Sequence, residues 1–464
     1  MVVFPLPLMA RIILERASEI GVGYRDGPIR SLMQTLPDAQ LHLTRSGILP
    51  VKLRILTSVD LFAGCGGLSL GLEQAGFRTL AFSEVNRDAA ATFRKNLGHD
   101  QLVDIGDIAN LTETRVTQLK REWKRELGSA DVDLVSGGPP CQGYSGIGHR
   151  RSYAIEREQI PSNHLFREMV RVVKDIRPKA FIFENVRGLL SGRWTKDKPK
   201  GSIWKEVRET FRSIDGYEIG WRVVHAKWYG VPQNRPRVLL VGIRSDLGVP
   251  IGVDVDSPTN NPRGLIPDPT HPKAPDLIDV LSDLDEPTYI GGGRSVQYVH
   301  EPRSEFQKQM RITRAGRPMS LSREISEHEF SKHKQHVVER FREILEKGRV
   351  VDDKKKTKKF AQRRLPSRWD HQGPTITATS LPDDFVHYKR PRALTVREWA
   401  RLQMFPDWFE FEGPRTTGGL RRAGVPTEGV WAREVPKYTQ IGNAVPVGMA
   451  YAVGRHLAKL LRDV

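Results

Sequence analysis

The sequence predicts an α/β fold, a parallel sheet wound with helices, joined to a second, smaller, irregular domain. Between Ile55 and about Arg244 short apolar runs, "ILTSVDLFAG", "RTLAFSEV", "VDLVSGG", "AFIFENV" and "RVLLVGI", close on glycine or acidic residues and lead into helix-like stretches. That alternation is the mark of a parallel sheet with crossover helices. From about 245 to 385 it stops: prolines recur, "GGG" stands at 291–293, and "KKKTKK" fills 354–359. With 464 residues, 38% of them hydrophobic, the chain is long enough for one large domain and a smaller one.

Taken in order, residues 1–52 are expected to form an N-terminal extension with one helix, because Gly23, Gly27, Pro28, Pro37 and Pro50 interrupt every periodic run. Residues 53–244 carry the strand-and-helix alternation, and 245–385 form the irregular basic region. From 386 to 464 compact structure returns, since "TVREWARLQMFP" and "NAVPVGMAYAVGRHLAKLLRDV" place apolar residues at helical spacing.

Composition narrows the function. Two cysteines allow neither a disulfide framework nor a four-ligand zinc site of the usual kind, so no metal is expected and the chain suits a reducing cytoplasm. "MVVFPLPLMARIILER" has too short an apolar run for a secretory signal, and no span reaches membrane length, so no membrane partner is expected. A formal charge of +18, from 73 basic against 55 acidic residues, either gathers phosphate backbones or only keeps the protein soluble.

Several stretches carry chemistry. "VDLFAGCGGLSLGLEQAGF" (59–77) reads as a strand, a glycine-rich turn and an amphipathic helix, the arrangement in which backbone N–H groups meet a nucleotide-like ligand. Glu84 ends the next strand, where a carboxylate can accept from ribose hydroxyls, and Asp107 ends what reads as a third. The same three features also occur as unrelated loop residues. In "LVSGGPPCQGYSGIG" (134–148), Pro139 and Pro140 stiffen the loop behind a strand and hold the Cys141 thiol at the sheet's carboxyl edge. A stiff thiol there suits a nucleophile, against the alternative of a small buried apolar residue. Glu184, behind Phe181, Ile182 and Phe183, occupies a poorly solvated position that favours its protonated form, unless it only caps a helix. In "QNRPRV" (233–238) Arg235 and Arg237 are expected to project outward, either toward an anionic group or into solvent.

Together "DLFAGCGG", "GGPPCQGYS", "ENV", "QNRPRV", "LTVREWARLQMFP" and "QIGNAVPVGMA" closely resemble the DNA cytosine-C5 methyltransferase family, bacterial restriction-modification type, in its order and spacing. The resemblance runs from about Leu53 to the C-terminus. It implies a Rossmann-like, class I S-adenosylmethionine-dependent methyltransferase sheet over 53–244, a target-recognition domain over 245–385, and a C-terminal part, 386–464, completing the catalytic domain.

The resemblance further implies that Cys141 adds to C6 of cytosine, that Glu184 steadies the ring at N3, and that Arg235 and Arg237 are the family's arginine pair, with Arg235 near the cytosine and the thiol. For S-adenosylmethionine, leaving as S-adenosylhomocysteine, it points to Phe62, Ala63, Gly64, Gly66, Glu84, Asp107, Pro140, Leu165, Asn443, Ala444 and Val445. Val85 stands where some members have an aromatic over the adenine. Reaching C6 in a duplex requires the base to leave the stack, and Gln142, Ser145, His149, Arg150 and Arg151 are the implied DNA contacts of the loop behind the cysteine. The implied partners are double-stranded DNA and a cognate restriction endonuclease. The base that removes the C5 proton is not revealed, nor is the recognition sequence. A transfer-RNA methylase relative is the runner-up, but its usual Cys-Phe-Thr tripeptide is missing here. A nicotinamide-dependent dehydrogenase would leave Pro-Pro-Cys, Glu-Asn-Val and the arginine pair without a role.

Overall fold

The computed structural model describes residues 55–140, 158, 160–255, 257–287, 291–348, 363–369, 373–378, 385–416 and 434–462, and the backbone of two strands before them. Those strands, β1 (Ala39–Thr44) and β2 (Gly47–Lys52), pair antiparallel from Ala39↔Lys52 to Thr44↔Gly47. The described part of the N-terminal extension is thus a hairpin; the expected helix lies outside the described residues.

The main sheet uses β3 (Leu56–Leu61), β4 (Phe77–Ser83), β5 (Val103–Gly106), β6 (Leu134–Gly137), β7 (Ala180–Val186), β8 (Tyr217–His225), β9 (Pro236–Arg244) and β10 (Asn260–Asn261). Their order is β10-β8-β9-β7-β6-β3-β4-β5. Pairing is parallel from β7 through β6 and β3 to β4 and β5, but β9 enters antiparallel to β7 and to β8, and β10 antiparallel to β8. The expected parallel pairing therefore holds for five strands and gives way at β9. The physical reason is the short link: Ala226 to Arg235 joins β8 to β9, and a parallel pairing needs a crossover of a dozen residues or more.

Helices α1 (Gly67–Gln74), α2 (Arg87–Leu97), α3 (Glu113–Leu127), α4 (Leu165–Ile176) and α5 (Ser202–Arg212) lie in the connections. Local chemistry sets their ends: Asn86 and Thr112 accept from the first turns of α2 and α3, and Gly128 closes α3 in the left-handed region. Buried side chains of successive strand residues go to opposite faces. Leu134 and Ile182 join one core with α1 and α2, while Val135, Phe181 and Phe183 join the other with α3, α4 and α5.

Chain order turns back beside β3, with β4 and β5 on one side and β6 and β7 on the other. In open α/β sheets such a reversal opens a crevice at the strands' carboxyl ends. The turn after Leu61 and the loop after Gly137 meet there.

Past β9 the described residues include the helices α6 (Leu277–Leu281), α7 (Glu305–Met310) and α8 (Gln335–Lys347), and a two-residue strand pair, β11 (Arg363–Arg364) with β12 (Phe385–Val386). The "KKKTKK" run lies outside the described residues. This region is not a separate ball, for Val249, Leu265, Leu277, Val280, Phe306 and Met310 share a core with the C-terminal helices. Those are α9 (Val396–Arg401), α10 (Lys437–Asn443) and α11 (Val447–Arg462). A buried ion pair binds the parts, since Arg401 holds Asp283 as well as its neighbour Asp407, and Arg392 grips Glu398 within the C-terminal part. Helix α11 lies directly on α1 because α1 lacks side chains there. A Cβ at Gly71 would sit 2.5 Å from Ala450 Cβ and 2.6 Å from the Val447 carbonyl oxygen.

Candidate active site

At the carboxyl end of β3 the chain bends sharply. Phe62 has φ 57°, Gly64 58° and Gly66 92°, and only at Phe62 does a side chain bear that left-handed strain. The two glycines answer different needs. A Cβ on Gly66 would meet Leu97 Cδ1 at 2.9 Å, whereas nothing lies within 4 Å of one on Gly64. Gly66 thus lets α2 approach, and Gly64 lines open space, which suits a ligand cradle.

The turn is stitched to β4. Ala63 N–H donates to the Ser83 carbonyl at 2.9 Å, and Gly64 N–H donates to Glu84 Oε2 at 2.9 Å. Glu84 Oε1 accepts from Asn86 N–H at 2.7 Å, so the carboxylate is held at both oxygens. Burial raises its pKa, and those backbone donors oppose the rise. Beside it Val85 stands 72% exposed, a bare apolar side chain next to a fixed acid, fit to cover a flat ring. Asp107 is exposed, and its Oδ1 caps the short turn Ile108–Asn110 by accepting from Ala109 N–H at 2.9 Å.

From the far end of the chain, Asn443, Ala444 and Val445 link α10 to α11 and close over the start of α1. A Cβ on Gly67 would lie 2.5 Å from the Val445 carbonyl oxygen. Leu165 opens α4 and packs with Phe62 against the same core. The turn and the start of α1 are therefore in contact with both Glu84 and the 443–445 link. These residues fit an adenosine-bearing ligand: open backbone at Gly64, a fixed carboxylate, and an exposed aliphatic face.

Next to it lies the acid. Glu184, 8% exposed on β7, accepts from Arg237 Nε at 2.7 Å. The antiparallel register makes this contact: Arg237 sits opposite Val186, on the face that Glu184 shares two residues away. Burial raises the Glu184 pKa, while Arg237 and, less, Arg235 pull it back. The stem of the cysteine loop touches the acid, since a Cβ on Gly138 would lie 3.1 Å from Glu184 Oε2. Asn185 Nδ2 fixes the stem further by donating to the Pro139 carbonyl at 3.1 Å, and Pro140 is exposed. Cys141 itself, with Gln142, Ser145, His149, Arg150 and Arg151, lies outside the described residues.

The arginine pair differs from expectation. Neither side chain projects outward; both are buried. Arg235, which the resemblance places near the cytosine and the thiol, donates through Nη1 to the Ile376 carbonyl at 2.7 Å and through Nη2 to those of Gly442 and Ala444 at 2.5 and 3.3 Å; the thiol lies outside the described residues. Arg237 is the one on the acid. The reason is register: in "QNRPRV" Arg237 is in the β9 ladder, whereas Arg235 precedes it and meets the C-terminal segment.

Three further residues contribute. Asp60, buried in β3, accepts from Ser69 Oγ of α1 and Ser136 Oγ of β6 at 2.5 and 2.9 Å, and burial lifts its pKa to about 6. It ties α1 to the strand that leads into the cysteine loop. Gln233 donates to the Leu402 carbonyl and to Gln403 Oε1, and Gln403 donates to the Ile441 carbonyl, an amide relay toward the 443–445 link. An acid in the middle of "SVDLF" was the readable signal for Asp60; Gln233 offered none. The other cysteine, Cys65, is buried with its thiol pKa pushed up to about 12 by desolvation, which makes it a packing residue.

A family model for C-5 cytosine-specific DNA methylase matches residues 56–459. The chain is 31% identical over 419 residues to the Type II methyltransferase M.DdeI of Desulfomicrobium norvegicum, covering 88% of this chain and 89% of the relative. It is 29% identical to M1.HphI of Haemophilus parahaemolyticus, covering 87% of each. A crystal structure described as a DNA modification methyltransferase encoded within an Escherichia coli prophage has the same fold, with TM-score 0.61 and 24% identity over 88% of this chain and 99% of that one. With the glycine turn, the buried acid and the matched order of motifs on one sheet edge, the chain belongs to the C-5 cytosine-specific DNA methylases.

Proposed function

We propose that this DNA (cytosine-5-)-methyltransferase acts through Cys141 as nucleophile and Glu184 as acid, on a cytosine rotated out of duplex DNA. The observation that carries the reading is the contact of the Gly138–Pro140 stem with a buried Glu184 whose pKa is raised by desolvation. Cytosine C5 is a poor nucleophile, and attack of the Cys141 thiolate on C6 makes it enamine-like. Glu184, holding its proton in that dry position, donates toward N3 as negative charge grows on the ring. Arg237 keeps the carboxylate in place and limits how far its pKa rises. Once C5 is methylated, loss of its proton lets the thiolate leave by β-elimination.

S-adenosylmethionine, the methyl donor of the family, supplies an electrophilic sulfonium methyl when bound. Phe62, Ala63, Gly64, Gly66, Glu84, Val85 and the 443–445 link are the residues that would hold it, with Asp107, Pro140 and Leu165 at the margins. A cytoplasmic site of action and a cognate restriction endonuclease acting on the same sequence complete the proposal; the match to Type II methyltransferases supports both.

The test is methyl transfer from tritiated cofactor. Cys141→Ser should abolish transfer to duplex DNA while cofactor still binds, and duplexes with 5-fluorocytosine at the target should trap a covalent adduct, because no proton can leave C5. Full activity in Cys141→Ser, or an active enzyme that never traps, overturns the mechanism.

A further inference from the structure

Beyond β7 the chain runs through a short turn, Arg187–Ser191, into a loop that ends at α5. Because α5 returns across the sheet, this loop lies at the carboxyl edge, the edge of Glu184 and Pro140. It carries Arg193, Lys196, Lys198 and Lys200 against one acid, Asp197, with Arg187 in the turn before it and Lys205 on the first turn of α5. All six basic residues are exposed.

The loop is built rather than loose. Gly201 N–H donates to the Gly192 carbonyl at 3.0 Å, closing its ends, and Ile203 N–H donates to the same oxygen at 3.4 Å. Trp194 is buried beneath it, donating through Nε1 to Glu206 Oε2 at 2.7 Å and stacking on His164 with centroids 4.8 Å apart. Glu206 is also paired with Arg167 at 2.5 Å. Asp197 is the one acid between Gly192 and Gly201, and it is exposed. Among the described residues Arg187, Lys196, Lys200 and Lys205 have no carboxylate within ion-pair distance. Holding like charges together on a braced loop costs free energy that a polyanion would return. A base extruded from a duplex stays tied to its own backbone, so the phosphates beside it must cross this edge.

We infer that the Gly192–Gly201 loop, with Lys205, is a clamp on DNA backbone phosphates flanking the extruded cytosine. The inference rests on the reading of Glu184 as the catalytic acid of a DNA methyltransferase. It needs no knowledge of the recognition sequence, because phosphate contacts are sequence-independent.

The test measures binding of the full chain to a fluorescein-labelled duplex of arbitrary sequence across salt concentrations. In Lys196→Gln/Lys198→Gln/Lys200→Gln the slope of log affinity against log salt should flatten by about 0.9 for each phosphate no longer neutralised. A control, Arg121→Gln/Lys124→Gln/Arg125→Gln, removes the same charge from the C-terminal half of α3, at the opposite edge of the sheet, and should keep the wild-type slope. Both variants should bind S-adenosylhomocysteine as the wild type does, which shows that they are folded. A wild-type slope in the loop variant overturns the clamp, as does an equal flattening in the control, which would mean that net charge alone matters. Failure of the wild type itself to bind duplex DNA would overturn the underlying reading, and shows in a different protein sample.

Discussion

Replacing Arg235 by methionine separates a positioning role from a catalytic one. The guanidinium is buried and bonds three carbonyls, those of Ile376, Gly442 and Ala444. The Ala444 oxygen keeps a second donor in Gln403 Nε2 at 3.1 Å, so the substitution orphans two buried acceptors, at Ile376 and Gly442. At about 1–3 kcal/mol for each unsatisfied group, the expected loss is about 4 kcal/mol, close to a thousandfold in the folding equilibrium and a large part of the stability of an ordinary domain. Because one of those carbonyls, Ala444, lies in the 443–445 link and another, Gly442, immediately precedes it, cofactor affinity should fall with it. Urea unfolding and calorimetric titration with S-adenosylhomocysteine measure the two effects. Arg237→Met, by contrast, removes the cation opposing the raised pKa of Glu184, so the pKa rises further. The limb of the pH–rate profile on which activity falls as Glu184 loses its proton should then move to higher pH. An Arg235→Met protein with wild-type stability and cofactor affinity but no methyl transfer would refute the assignment and return Arg235 to the reacting base.

Two glycines should respond in opposite ways. Gly71→Ala pushes a methyl into Ala450 and the Val447 carbonyl and should cost about 1–3 kcal/mol in chemical unfolding, whereas Gly64→Ala meets no atom within 4 Å, adds about 1 kcal/mol of backbone strain, and should weaken cofactor binding more than stability. Asp60 should make its own mark on stability against pH. Its pKa is about 6 in the fold against an ordinary 3.8, so the folded state keeps the proton longer, and this contribution is present below about pH 4 and lost as pH rises toward 6. Asp60→Asn should therefore gain up to about 3 kcal/mol on the wild type between those values, from the 1.36 kcal/mol that each unit represents; parallel stability curves for the two proteins would contradict the burial argument.

Much of the site was legible because its chemistry is local. Strand and glycine turn are adjacent at Leu61–Gly66, strand and strand-end acid at Phe183–Glu184, and side-chain periodicity with turn chemistry determines such units before any long-range contact forms. The five parallel strands, the helix of "TVREWARLQMFP" and the dry setting of Glu184 were readable for that reason. The antiparallel entry of β9 was less so, since β8 (Tyr217–His225) interleaves charged and apolar residues and closes on no glycine or acid.

What the sequence by itself determined is which groups stand at the carboxyl edge of the sheet: Gly64, Glu84, Glu184 and the proline stem of the cysteine loop. Which of two arginines faces the acid, and what α1 leans on, only the tertiary structure decided. Arg235 finds its partners 141 and 207 positions away, and Gly71 meets Ala450, so their roles exist only once the C-terminal helices close onto the sheet. A side chain two residues along a strand keeps its face whatever the rest of the chain does, but a contact across hundreds of residues depends on how every element between them packs.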